Sequence, residues 1–287
     1  MDTVTVPFGV IVNDFLGTMI PAEALAVEPG GSTVVLPTYP ELSEDTFAWL
    51  DLLDAVTCAR DRVTILEAGA GFGIWSIRGA LAARQLGLPC RLISVEAEPR
   101  HFCWLQESYR LNGLDPADHV LIHGAISDEP GTVRFYVAQP QAAPSPGQWY
   151  GQRIMLDSER TDATPCETYE GLRVFRLKNG FRYVGVPAVT LASTMPDDSL
   201  VDLIHMDIQG TELKVIASAM PELNERVRRI HIGTHSREVE DGLRNLFTQA
   251  GWTCRADYVG GGVRETPYGP VLFQDGAQSW FNEPLRV

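Results

Sequence analysis

The segment ILEAGAGFG, residues 65–73, constrains the fold more than any other part of the chain. A short apolar run ends in Glu67, and Gly69, Gly71 and Gly73 then alternate with other residues ahead of a segment with helical periodicity. Glycines at such a turn let the backbone pass close to a ligand, and the first N–H groups of the next helix favour negative charge. The pattern predicts the first strand, turn and helix of a nucleotide-binding α/β fold.

Strand-like and helix-like segments alternate through most of the chain. The apolar patterns predict strands at 63–67, 91–96, 120–124, 132–137, 201–206, 227–233, 252–257 and 271–274. They predict helices at 44–60, 74–86, 99–111, 212–220 and 238–250. Because helices that connect strands in this way belong to parallel sheets, we expect a mainly parallel α/β domain at 61–287, preceded by an N-terminal extension or cap at 1–60.

A segment at about 138–186 interrupts this alternation. Residues 138–170 contain many Pro, Gln, Ser and Thr residues, which predicts a long loop, and loops of this length are often functional. Two apolar runs, 172–177 and 181–186, then flank Lys178-Asn179-Gly180. Asn-Gly tolerates the positive φ of a tight hairpin turn, so we expect an inserted β-hairpin here.

The chain is acidic, with 23 Lys+Arg against 37 Asp+Glu and a formal net charge of −14. This balance disfavours binding to nucleic acids or to anionic membrane surfaces, which needs clustered cations. No apolar run approaches the ~20 residues of a membrane span, and the N-terminus has no basic signal-peptide region. The five cysteines are widely spaced, as is typical of reduced thiols. We expect a cytoplasmic protein.

Glu96 ends the second predicted strand, 23 residues after Gly73. An acid at this point can accept hydrogen bonds from the ribose hydroxyls of a nucleoside cofactor. A dinucleotide site would favour a further glycine at position 74, where this chain has Ile74. Glu67 inside the turn would be an unusual neighbour for a pyrophosphate. An NAD(P)-dependent oxidoreductase therefore stays an alternative to an enzyme with a cationic nucleoside cofactor.

A second block, LVDLIHMDIQGTELKVIASA at 200–219, has the same strand, acid, glycine turn and helix arrangement. Its acid, Asp207, follows the strand, and ligands of open α/β sheets lie at the carboxyl ends of strands. We expect Asp207 beside the cofactor if this strand neighbours the first. The [DNS]PP[YFW] motif of enzymes that methylate the amino groups of DNA bases is absent, since the chain reads DIQG here.

With these motifs the chain resembles the FkbM family of S-adenosylmethionine (SAM)-dependent class I methyltransferases over about residues 63–255. Family members typically read K-I-D-V-E-G-x-E where this chain has HMDIQGTE, so His205 replaces a common Lys and Gln209 a common Glu. The resemblance implies a Rossmann-like, seven-stranded, mostly parallel sheet with an antiparallel last strand. It also implies SAM as cofactor and O-methylation of a hydroxyl on a sugar, polyketide or other natural product.

The motifs and the resemblance together predict the site residues. Those expected to contact the cofactor lie in and after the predicted strand ends: Glu67, Gly69, Ala70, Gly71, Phe72, Gly73, Glu96, Ala97, Ala125, Ile126, Asp128 and Asp207. Asp207 and His235 are the expected catalytic pair, because a neutral His near pH 7 is a suitable base for a hydroxyl proton. Residues expected to contact the acceptor are polar or aromatic: Trp149, Tyr150, Gln152 and Gln209.

Several points stay open at the sequence level. Asp207 could hold a divalent metal ion, but no clear second and third ligands accompany it, so a metal is not favoured. The replacements at His205 and Gln209 leave a non-catalytic SAM-binding protein as an alternative. A methyltransferase acting on protein or nucleic acid is a further one. We expect a small-molecule acceptor as the partner, and the oligomeric state is open, a homodimer included.

Overall fold

A computed structural model describes residues 4–25, 33–35, 38–137 and 151–285. The strands are, in chain order, β1 (Val4–Val6), β2 (Val10–Val12), β3 (Met19–Pro21), β4 (Thr33–Val35), β5 (Val63–Ala68), β6 (Cys90–Glu96), β7 (Val120–His123), β8 (Ala125–Ser127), β9 (Gly131–Tyr136), β10 (Ala163–Tyr169), β11 (Leu172–Leu177), β12 (Arg182–Thr190), β13 (Leu203–Met206), β14 (Arg229–Thr234), β15 (Thr253–Tyr258), β16 (Gly262–Thr266), β17 (Gly269–Phe273) and β18 (Gly276–Phe281). The helices are α1 (Asp45–Cys58), α2 (Ile74–Gln85), α3 (Pro99–Leu111), α4 (Leu191–Thr194), α5 (Glu212–Arg226) and α6 (Arg237–Gln249).

Seven strands form the main sheet in the order β15-β18-β14-β13-β5-β6-β7. The central strands from β14 to β7 pair in parallel, whereas β18 runs antiparallel to both β14 and β15. The order changes direction between β5 and β13, where the chain crosses from one half of the sheet to the other. This arrangement confirms the predicted α/β fold with a seven-stranded, mostly parallel sheet.

The reversed strand is not the one that the sequence predicted. The expected late strand at 271–274 falls mostly within β17, which forms a separate hairpin with β16. The strand inserted between β14 and β15 is β18, whose side chains are buried throughout. Gln278 and Ser279 lie in the middle of β18, so its sequence lacks the continuous apolar pattern of a buried strand.

A second sheet, with strand order β10-β11-β12-β8 and β9 paired to β12, lies beside the main one. The predicted hairpin is confirmed, since β11 and β12 pair antiparallel across Lys178-Asn179-Gly180. The prediction of a continuous loop over 138–170 is wrong in part, because 163–169 form β10 and pair with β11. The cause is its composition: Pro165 and the Thr and Glu residues of this edge strand give no apolar alternation.

Side chains of successive residues in β5 point to opposite faces of the main sheet, as the two-residue period of a strand requires. Ile65 packs with Leu52, Leu92 and Tyr109 under α1, α2 and α3. Leu66 packs in the opposite cluster, which contains the buried side chains of α5 and α6. Helices therefore cover both faces of the main sheet. The carboxyl ends of β5, β6 and β13 lie together at one edge of it. No helix in the described part of the chain is long and apolar enough to cross a membrane.

Candidate functional site

A cleft with about 850 Å³ of empty space, its open mouth included, lies at the carboxyl ends of β5, β6 and β13. Most of the residues predicted from the sequence line it: Glu67, Gly69, Ala70, Gly71, Phe72, Glu96, Ala97, Ala125, Ile126, Gln152, Asp207 and Gln209. Parallel strands end at the same edge, so acids that follow β5, β6 and β13 meet there although they are far apart in the chain.

The remaining predicted residues have other positions. Gly73 does not line the cleft; it lies at the start of α2, against the side chains of Leu105 and Tyr109. Asp128 is exposed in the turn after β8, where its carboxylate accepts a hydrogen bond from Ser127 Oγ. Trp149 and Tyr150 lie outside the described residues.

The cleft also contains residues that the sequence reasoning did not select. Most of them are apolar or aromatic: Ile74, Trp75, Val95, His101, Gly124, Phe135, Gly151, Ile154, His205 and Ile208. The sequence signals for His205 were its position within the buried strand β13 and its replacement of the family's common Lys. Whether that side chain faces the cleft depends on the register between β13 and β5, which a single sequence does not reveal.

The glycine-rich turn has the backbone geometry that its sequence predicts. Gly69, Gly71 and Gly73 have φ values of 78°, 55° and 80°, a region that other residues rarely adopt. At Gly69 a Cβ atom would also overlap the backbone carbonyl of Asp207. That carbonyl is held close because the Asp207 N–H donates to Ala68 O at 2.9 Å. Gly69 therefore lets the ends of β5 and β13 come together.

Glu67 links β5 to α2. Its two carboxylate oxygens accept the backbone N–H groups of Trp75 and Ser76, each at 3.0 Å, and so cap the N-terminus of α2. Burial raises the pKa of Glu67 to about 7, and the hydrogen bonds from α2 oppose that rise. The carboxylate thus orients the helix while it contributes to the wall of the cleft.

Glu96 has the position and the acceptor capacity that a ribose would need. Its Oε2 accepts the Gly71 N–H at 2.6 Å and its Oε1 accepts the Glu98 N–H at 2.7 Å. Each oxygen of a carboxylate can accept two hydrogen bonds, so each retains one site for a hydroxyl donor. Burial raises the pKa of Glu96 to about 8, against the effect of the backbone N–H groups of Glu98, Gly71 and Ala97.

His235 lies between two carboxylates beneath the cleft and does not line it. Its Nδ1 is 2.8 Å from Glu212 Oε1, and its Nε2 is 3.2 Å from Asp207 Oδ1. Burial acts to lower the pKa of His235, but the two carboxylates outweigh it and raise the pKa to about 10. The imidazole is therefore charged at neutral pH, and the expected neutral base at His235 does not fit this arrangement.

Asp207 is half-exposed at the cleft and is held by its neighbours. The Gln209 side chain donates to Asp207 Oδ1 at 2.8 Å, the same oxygen that lies 3.2 Å from His235 Nε2. Burial acts to raise the pKa of Asp207, but the hydrogen bond and charge of His235 lower it below its ordinary value. Glu212 completes the turn by accepting the Gly210 N–H at 2.9 Å. The acids of the DIQGTE block thus hold His235 and shape this turn.

His205 is buried, with 8% of its surface exposed, and it stacks between two rings. The Trp75 ring is 4.8 Å away and the His231 ring 5.4 Å away, both nearly parallel to it. Burial, together with His231, lowers the pKa of His205 well below its ordinary value. A neutral imidazole therefore forms part of the cleft wall. In the described part of the chain no three His, Cys, Asp or Glu side chains are grouped to hold a metal ion.

Several known proteins are similar to this chain. A protein of Jannaschia sp. (strain CCS1) that is named as a methyltransferase is 28% identical over 253 residues, which cover 86% of this chain and 84% of that protein. The methyltransferase FkbM of Methylobacillus flagellatus KT is 14% identical, with a TM-score of 0.46 over 78% of this chain and 45% of that one.

A precorrin-6y C5,15-methyltransferase from Geobacter metallireducens GS-15 has 9% identity and a TM-score of 0.43, over 84% of this chain and 89% of that one. The methyltransferase FkbM domain matches residues 67–251, from the glycine-rich turn to the end of α6. This span includes Glu67, Glu96, the DIQGTE block and the second sheet. The chain belongs to the FkbM methyltransferase domain family.

Proposed function

We propose that the protein transfers the methyl group of SAM to a hydroxyl of a small molecule. The observation that carries this proposal is that the glycine-rich turn and Glu96 border the same cleft as Asp207, Gln209 and Gln152. The first two features suit a nucleoside cofactor, and the other three offer polar groups to an acceptor beside it.

The residues present fit SAM. Glu96 retains one acceptor site on each oxygen for the two ribose hydroxyls. Because Gly69 lets the end of β5 approach β13, the glycine-rich turn and Asp207 line the same cleft, where the methionine part of SAM would lie. Ala125 and Ile126 offer a small apolar surface to the adenine. SAM supplies a methyl group on a sulfonium leaving group, and the protein's own task is therefore alignment and proton removal.

The charge distribution supports the same proposal. Asp207 is ionised at neutral pH, since His235 lowers its pKa, and it is half-exposed at the cleft. A sulfonium is cationic, and a nearby carboxylate favours its binding. The net charge of −14 disfavours a nucleic-acid acceptor. The cleft has apolar walls at Phe135 and Ile154 with a few polar groups, which is typical of small-molecule sites.

The proposal can be tested with SAM that carries carbon-13 in its methyl group. The protein is incubated with this SAM and the small-molecule fraction of a bacterial extract, and the products are examined by NMR. We expect new signals at the chemical shift of O-methyl groups, together with S-adenosylhomocysteine. Label only in N-methyl or C-methyl products, or no transfer at all, would contradict O-methylation.

A further inference from the structure

A row of polar side chains crosses the middle of the main sheet. The register aligns one residue from each of five neighbouring strands, β18, β14, β13, β5 and β6: Ser279, His231, His205, Glu67 and Ser94. Three of these side chains have hydrogen-bond partners. Ser94 is bonded to Tyr109, Glu67 to the start of α2, and His231 Nδ1 lies 2.9 Å from Asp51 Oδ2.

His205 is the member of this row that lines the cleft without a hydrogen bond. Its Nδ1 is buried and has no hydrogen-bond partner among the described residues. Leaving a buried polar group without a partner costs free energy. A ligand in the cleft that donates a hydrogen bond to this ring would remove that cost.

The ring of His205 is also held in one orientation. Trp75 and His231 stack on its two faces, with interplanar angles of 24° and 13°. His205 lines the cleft while these rings cover it, so a ligand would meet the ring at its edge. Such support from neighbouring side chains is what a precisely aligned proton transfer requires.

The acids of the cleft, and His235 beside them, are already engaged. Glu67 caps α2 and Glu96 accepts two backbone N–H groups. Asp207 is held by Gln209 and His235, and His235 is charged between its two carboxylates. His205 is thus a cleft-lining group that combines a neutral form with an unpartnered ring nitrogen.

We propose that His205 accepts the hydrogen bond, and then the proton, of the acceptor hydroxyl during methyl transfer; this inference rests on the proposed function. The hydroxyl oxygen forms its new bond to the methyl carbon with a lone pair, and the C–S bonding pair stays on sulfur, which becomes a neutral thioether. The O–H proton passes to a ring nitrogen of His205 and leaves to solvent after product release. A weakly basic imidazole is sufficient, because the hydroxyl becomes strongly acidic as its oxygen bonds to the methyl.

The surroundings keep His205 neutral before the reaction. The charged or titratable groups that face it come from every neighbouring element: Glu67, His231 with its partner Asp51, Arg78 and Asp207. Burial is the main reason that the pKa of His205 is low, His231 and Arg78 lower it further, and Asp207 acts in the opposite direction. The imidazole is therefore unprotonated throughout the neutral range.

Two variants separate this role from a merely structural one. His205→Phe keeps a ring between Trp75 and His231 but has no nitrogen, and His205→Gln keeps a polar group that cannot take the proton. Folding is verified by the affinity for S-adenosylhomocysteine in calorimetry, which we expect to change by less than about threefold. We expect transfer from labelled SAM to fall roughly 10²- to 10⁴-fold in both variants, the usual contribution of a general base. His119→Phe, a histidine outside the cleft, is the control and should transfer at the wild-type rate.

A measurement without turnover completes the test. Nitrogen-15 NMR of the wild-type protein is expected to find His205 neutral at about pH 7 and its ring nitrogens shifted when an acceptor is added. Transfer within about threefold of wild type in His205→Phe, or a protonated His205 at neutral pH, would overturn the inference. Absence of transfer by the wild-type protein would instead refute the proposed function, so the two failures are distinguishable.

Discussion

His235 and Glu212 form a buried ion pair, with 2.8 Å between Nδ1 and Oε1. Glu212 is fully buried and also accepts the Gly210 N–H, so the pair holds the turn that carries Asp207 to the cleft. Removal of one partner leaves an uncompensated charge in the interior. We therefore expect His235→Ala to lower the free energy of unfolding by roughly 3–5 kcal/mol in chemical denaturation at neutral pH.

The exposed pair Lys178–Asp162 provides a control for this change. Both side chains are largely exposed, and the ammonium lies 3.1 Å from the carboxylate. Exposed ion pairs contribute about 0–1 kcal/mol, so Lys178→Ala should change the free energy of unfolding very little. A loss in His235→Ala no larger than the loss in Lys178→Ala would show that the buried pair does not stabilise the fold.

The same ion pair makes stability depend on pH. The pKa of His235 is about 10 in the folded protein, above its ordinary value of 6.5. Its stabilising contribution is therefore fully present below about pH 6.5 and is lost as the pH rises through about 10. The difference in free energy of unfolding between wild type and His235→Asn should shrink between these values. A difference that stays constant over this range in urea denaturation would contradict the pKa assignment.

Gly69 and Gly87 form a matched pair for testing the turn. Both have positive φ, 78° and 68°, so alanine is strained by roughly 1–2 kcal/mol at either position. At Gly87 a Cβ would meet nothing within 4 Å, whereas at Gly69 it would overlap the carbonyl of Asp207. We expect Gly69→Ala to lose stability and cofactor binding well beyond Gly87→Ala. Equal losses in the two variants, measured by denaturation and calorimetry, would rule out the close approach of β5 and β13.

Glu96 should couple cofactor binding to proton release. Burial raises its pKa to about 8 in the free protein, and hydroxyl donors from a ribose would stabilise the ionised form and lower that pKa. Affinity for S-adenosylhomocysteine should therefore increase as the pH rises from about 6 to about 8, with proton release detectable by calorimetry in buffers of different ionisation enthalpy. Affinity that falls over this range would contradict the assignment.

A substitution at Glu96 tests the same contact directly. Glu96→Gln keeps the size of the side chain but loses its charged hydrogen bonds, which are worth about 1.5–3 kcal/mol. We expect binding of S-adenosylhomocysteine to weaken roughly 10- to 100-fold. Glu107→Gln, an exposed position on α3, serves as the control and should leave the affinity unchanged.

Local patterns in the sequence predicted much of the fold and of the cleft. The positions of the glycine-rich turn, Glu96 and Asp207 could be predicted from the sequence, because acids and glycines that follow parallel strands meet at one sheet edge. The charge of His235 could not be predicted from the sequence, because it depends on contacts with Glu212 and Asp207, which belong to other parts of the chain. The exposure of His205 to the cleft depends on strand register in the same way.

The most direct test of the central claim is a calorimetric titration of the wild-type protein with SAM and, separately, with NAD. The cleft with Glu96, Gly69 and Asp207 predicts a single site for SAM, with weaker binding in Glu96→Gln and no detectable binding of NAD. Binding of NAD in the absence of SAM binding would contradict the account.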